Sequence, residues 1–150
     1  MNKSLQRMMN VHKEKSSFTN IRKAAEKGSA WAQNKLGVMY LNGQGIQQND
    51  VEAFTWFYKA AGQGDACARF MVGRMYEEGR GVRQSYAEAV KWYHRAAEQG
   101  LESAQFHVGM MYEKGHGVPQ DYDKAFRWYD KAAQQGDQDA QLKMDEMKER

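Results

Sequence analysis

Hydrophobic positions along this chain recur at helical spacing, and the spacing itself recurs. From about Asp65 to Glu77, the apolar residues Ala68, Val72, Met75 and Tyr76 lie three and four apart, on one face of a helix. After a glycine-containing break, Ala89, Trp92, Tyr93, Ala96 and Ala97 do the same on a second helix. Adding 36 to these numbers returns Ala104, Val108, Met111, Tyr112, Ala125, Trp128, Tyr129, Ala132 and Ala133. Subtracting 36 returns Ala32, Leu36, Met39, Tyr40, Ala53, Trp56, Phe57, Ala60 and Ala61. A fixed period of this length marks a repeat architecture.

Each unit predicts two helices, A and B. Helix A begins near Ser29, Asp65 and Glu102 and stops where two glycines stand two apart: Gly43/Gly45, Gly79/Gly81 and Gly115/Gly117. Glycine takes the positive φ that many helix ends require. Helix B begins near Asn49, Ser85 and Asp121, whose short side-chain oxygens suit N-caps, and ends at Gly64, Gly100 and Gly136. Ser85 with Glu88 also fits a capping box.

The ends depart from the pattern. Residues 17–28 carry a weak half-repeat, with Ile21 in the Phe57 column, Ala24-Ala25 in the Ala60-Ala61 column and Asn20 in place of tryptophan. A half-repeat with a polar exchange suits a capping helix, which meets water on one side. Upstream, residues 1–16 are polar apart from Leu5, Met8, Met9 and Val11, and Arg7 and Met9 stand where the turn glycines belong. This segment reads as a flexible tail or as an upstream extension of the first helix. At the other end, residues 137–150 match helix A of a fourth unit, with Asp145 and Lys148 replacing glycine and tyrosine, and predict a C-terminal capping helix.

Composition changes this picture little. A chain of 150 residues with 41% hydrophobic and 27% charged residues is an ordinary folded protein or short array. Its net charge of +3 favours neither nucleic acid nor an acidic membrane strongly. No apolar run reaches the roughly 18 residues needed to cross a bilayer. The N-terminus has Lys3 and Arg7 but no continuous apolar stretch, so a signal peptide is not expected. Cys67 is the single cysteine, which excludes an internal disulfide. The expected location is cytoplasmic, or periplasmic or exported if a leader has been removed.

The 36-residue unit, A-x-x-x-L-G-x-M-Y-x-x-G-x-G-V followed by Y-x-x-A-x-x-W-Y-x-x-A-A-x-x-G, resembles the Sel-1-like repeat, a relative of the tetratricopeptide repeat. Three copies run from Ala32 to Gly136; Asp50 departs from the Tyr86/Tyr122 column and Phe57 from the tyrosine column. The resemblance implies an all-α, right-handed α-solenoid with full repeats at 29–64, 65–100 and 101–136. It also implies a scaffold or adaptor, mostly found in bacteria, that binds protein. In tetratricopeptide-like solenoids helix A lines the concave face. On that analogy the expected partner-binding columns are Trp31/Cys67/Ser103, Asn34/Phe70/Phe106, Val38/Arg74/Met110 and Leu41/Glu77/Glu113. Such a surface, apolar at both ends and charged in the middle, suits a peptide with apolar anchors around a charged residue. Two further readings remain open. Lys59, Arg95 and Lys131, with Lys91 and Arg127, could form a convex basic stripe for nucleic acid or anionic lipid, and exposed end faces could stack end to end.

No catalytic chemistry assembles. His12, His94, His107 and His116 have no pair at i, i+4 spacing, and no second ligand type completes a zinc set. The Gly-x-Gly pairs follow a helix instead of a strand and lack the third glycine of a nucleotide loop. Asp121/Asp123 and Asp137/Asp139 lack the rest of a calcium loop. A cysteine-rich branch of the family is associated with β-lactam recognition, but this chain has neither its paired cysteines nor a Ser-x-x-Lys nucleophile motif. The expectation is a non-catalytic protein-binding module without cofactor, metal or nucleic acid, monomeric or weakly self-associating.

Overall fold

A computed structural model describes residues 2–150. Among them are eight helices and no strand: α1 (Lys3–Glu26), α2 (Ala30–Asn42), α3 (Asp50–Gly62), α4 (Ala66–Glu78), α5 (Tyr86–Glu98), α6 (Glu102–Lys114), α7 (Tyr122–Gln134) and α8 (Gln138–Lys148). Each helix packs on the next in chain order, so the fold is an all-α solenoid. Helices α2, α4 and α6 are the A helices; α3, α5 and α7 are the B helices.

Local chemistry sets these boundaries. Asn49, Ser85 and Asp121 cap the B helices, each side chain accepting from the amide three residues on at 3.0–3.2 Å. The return half of the capping box at Ser85 does not form. The Ser85 amide donates to the Tyr76 carbonyl at 2.9 Å, closing the loop from helix A, while Glu88 pairs with Lys91. Ser29 and Asp65 cap α2 and α4, but Leu101 makes no side-chain cap bond to α6. Gly79 ends α4 with φ at +65°, the left-handed cap that an ordinary side chain resists.

The core follows the repeat columns. Phe57, Tyr93 and Tyr129 are fully buried, each lying flat against the A-helix glycine of its own unit. A methyl added at Gly109 would sit 2.6 Å from the Tyr129 ring, so only glycine admits this approach. Between units runs a ladder of amides. Gln63, Gln99 and Gln135 donate to the carbonyls of Gly28, Gly64 and Gly100 at 2.7–2.9 Å, tying the end of each B helix to the turn one unit earlier. Gln63 and Gln135 also reach Gln33 and Gln105, which themselves bond Ala25 and Ala97; in the middle unit Arg69 takes the equivalent place between Ala61 and Gln99.

Residues 3–16 continue the first helix, so that α1 is 24 residues long. Met1 lies outside the described residues. The repeat register persists inside α1 as far as Glu14. Gly81 and Gly117 abut the carbonyls of Asp50 and Tyr86, the first residues of the preceding B helices. Gly45 abuts Glu14 in the same way, and Glu14 is Asp50 less one period. α1 is therefore a B helix whose N-terminus, lacking turn glycines at positions 7 and 9, runs on as helix.

Candidate partner-binding face

The columns expected to meet a partner do not form one uniform surface. In the second and third units they are largely committed to the protein itself. The Tyr93 hydroxyl donates to Glu77 and the Tyr129 hydroxyl donates to Glu113, the latter at 2.6 Å. Burial raises the pKa of both phenols, and the hydrogen bond to a carboxylate adds to the rise. Lys143 of α8 approaches Glu113 at 3.6 Å, and only 11% of the Glu113 side chain is exposed. In the first unit Leu41 and Phe57 occupy the same two columns, and an apolar pair replaces the polar one.

Phe70 and Phe106 are half-buried. Phe70 packs on Tyr93 and on His107, and Phe106 packs on His107 and on Tyr129, with ring centroids 4.9–5.8 Å apart. Nδ1 of His107 lies 2.8 Å from the Ser103 carbonyl, and burial lowers its pKa below the ordinary histidine value. Spacing alone gives no sign of His107's place in this aromatic row. Arg74 is exposed and pairs with Glu78 one turn on, at 3.0 Å. Met110 is half-buried against the C-terminal core.

The first unit is more open. Trp31 is 62% exposed, the largest aromatic so presented. With Asn34, Lys35 and Val38 it borders a groove of about 180 Å³. The Asn34 side-chain oxygen is buried and accepts no hydrogen bond within the described residues, whereas the later units carry phenylalanine in that column. Leu41 is half-buried at the end of the stripe.

The basic column expected on the convex side has an internal role. Lys59, Arg95 and Lys131 lie over the rings of Trp56, Trp92 and Trp128, 4.3–4.8 Å from each centroid. Trp56 and Trp92 are buried and Trp128 half-buried, so each cation covers the outer face of a core aromatic.

Among the described residues no cluster of histidine, cysteine or acidic side chains could hold a metal, and no helix is long and apolar enough to cross a membrane. Cys67 is exposed and free.

The helix-pair period is matched by the profile of the Sel1 repeat over residues 32–65, 68–101 and 102–137. The chain belongs to the Sel1 repeat family. Among solved structures it is similar to a protective antigen of uropathogenic Escherichia coli with this fold: 35% identity, TM-score 0.85, 87% of this chain and 28% of that one. It is also similar to a Sel1 repeat protein from Oxalobacter formigenes, at 36% identity and TM-score 0.83, over 88% of this chain and 54% of that one. The cysteine rich protein B of Helicobacter pylori shares the fold at 21% identity and TM-score 0.69, covering 87% and 93% of the two chains. The chain thus spans about half, or less, of the first two relatives. No match is found among curated proteins. Sel1 repeats generally serve as protein–protein interaction modules, in a family of scaffolds that are generally not enzymes.

Proposed function

We propose that this Sel1 repeat protein is a non-catalytic adaptor that binds a peptide segment of a partner protein on its concave A-helix face, with the first unit as the anchor. The observation that carries the reading is the pairing of an exposed Trp31 with the unpartnered Asn34 oxygen beside one groove. A large exposed aromatic is the side chain most often found at binding hot spots. A buried acceptor without a donor costs stability, and turning the half-buried Asn34 amide toward the groove would let a backbone N–H of an extended peptide recover it. Val38 and Leu41 extend the apolar anchor, and Arg74 and Met110 continue the stripe into the later units. Glu77 and Glu113 contribute indirectly, by fixing the tyrosines beneath.

Site-specific crosslinking in cells tests this. A photoreactive residue in place of Trp31 should capture a discrete protein, and one in place of Arg127 should not. Asn34→Ala should weaken that capture without lowering the melting temperature. Capture from position 127 alone, or from neither, would overturn the assignment.

A further inference from the structure

An open groove of about 890 Å³ lies on α1, largely upstream of the repeat columns, and is lined by Leu5, Met8, Met9, His12, Asn20 and Ile21 among others. We propose that it is a second docking surface, and that its occupant is an amphipathic α-helix with acidic flanks supplied by a partner protein. This surface is separate from the concave-face reading.

The occupant's form follows from the faces that α1 leaves open. α1 is a B helix, and it packs on α2 as α3 packs on α4 and α5 on α6. Each other B helix is also covered on its far side by the A helix of its own unit, which buries Phe57, Tyr93 and Tyr129 completely. Ile21, in that same column, is only half-buried, and among the described residues no helix covers its far side. The stripe through Leu5, Met8, Met9, His12 and Ser16 follows three- and four-residue spacing and leads into Asn20, in the tryptophan column, on a different side of α1 from Ile21. Leu5, Met8 and Met9 are each more than half exposed. A helix laid along this stripe would bury its apolar face on α1 as one solenoid helix does on the next, and methionine side chains adapt readily to an incoming surface.

The occupant's charge follows from arithmetic. Lys3, Arg7, Lys13 and Lys15 against Glu14 give residues 3–15 a net charge of +3, equal to that of the whole chain, so the remainder balances to zero. A second copy of α1 would oppose like charges, which disfavours self-pairing on this face. Acidic flanks on the incoming helix would meet Lys13 and Lys15 at the edges of the apolar stripe.

The test uses the whole protein and two fluorescent synthetic peptides, each about five helical turns with a leucine–alanine face. One has glutamate flanks and the other lysine flanks. In anisotropy titrations the glutamate peptide should bind, weaken with added salt, and bind about tenfold or more weakly to the Met8→Asp/Met9→Asp variant. Both positions are exposed, so the variant should melt like the parent. Trp31→Ala should leave peptide binding unchanged, which separates this surface from the concave one. Equal binding of the lysine peptide, no binding of either, or insensitivity to the double aspartate change would overturn the proposal. Retention on phosphatidylglycerol vesicles without peptide binding would assign the face to a membrane, and a concentration-dependent dimer that excludes the peptide would assign it to a second copy; either overturns it.

Discussion

At the scale of single residues, the departures from the repeat come in matched pairs. Where Tyr93 and Tyr129 carry hydroxyls, Glu77 and Glu113 accept from them; where the ring is Phe57, the partner is Leu41. Asp50 breaks the tyrosine column but accepts two hydrogen bonds from Arg80 at 2.9 and 3.3 Å; one unit later Tyr86 stacks on His116 at 4.4 Å in the same two columns. Tyr129→Phe should therefore cost about 1.5–3 kcal/mol in urea denaturation, the range for a hydrogen bond to a charged group. Adding Glu113→Leu, which recreates the first unit's pair, should cost less than the two single changes summed, by about 0.5–3 kcal/mol. The pH dependence has a definite sign. A folded-state phenol pKa raised above the unfolded value of about 10 stabilises below pH 10 and loses that contribution as pH climbs above it. Stability should fall above about pH 10, less steeply in the Tyr93→Phe/Tyr129→Phe variant. For His107 the folded pKa is lowered, so its contribution is complete above the unfolded value of about 6.5 and is lost as pH falls. His107→Gln should flatten the decline in urea midpoint between about pH 7 and pH 5.

At the scale of helices, the repeat columns were legible in the sequence because burial imposes a period that three copies repeat in register. The pairings were not, because each joins two columns that vary separately, and a face-average pattern carries no sign of compensation between them. The same limit applied to the candidate face: spacing placed Glu77 and Glu113 on one stripe with Trp31 but could not tell a carboxylate held by a tyrosine from a free one. The basic column was likewise visible as a stripe, while its tryptophan partners became clear only from ring geometry. Arg95→Ala should cost about 0.5–1 kcal/mol, as loss of a cation–π contact at an exposed site. Trp92→Ala, which empties a position packed against Tyr58 and the core, should cost about 3–5 kcal/mol. Chemical denaturation of both variants checks the ratio; near-equal losses would mean that the cations and not the rings carry this column's stabilisation.

At the scale of the whole molecule, a solenoid's stability is a sum over units and their interfaces, so its ends need not open together. The core is continuous from Phe18 in α1 to Trp92 in α5, whereas the cluster under α7 and α8 consists of Ala125, Tyr129, Ala132, Ala140 and Met144. Trp128 is only half-buried where Trp56 and Trp92 are buried, and α8 presents Asp145 and Lys148 in place of the repeat's glycine and tyrosine. At the other end, residues 2–13, beyond the contact of Gly45 with Glu14, are exposed, and a helix without tertiary cover gains little beyond its own hydrogen bonds. Native-state hydrogen exchange should therefore resolve three levels. Amides of residues 7–13 should exchange fastest, those of α7 and α8 next, and those of α3 to α5 only through global unfolding. The glutamate-flanked peptide should slow the first class and leave the second unchanged, because a helix seated on Leu5, Met8 and Met9 would cover the extension alone.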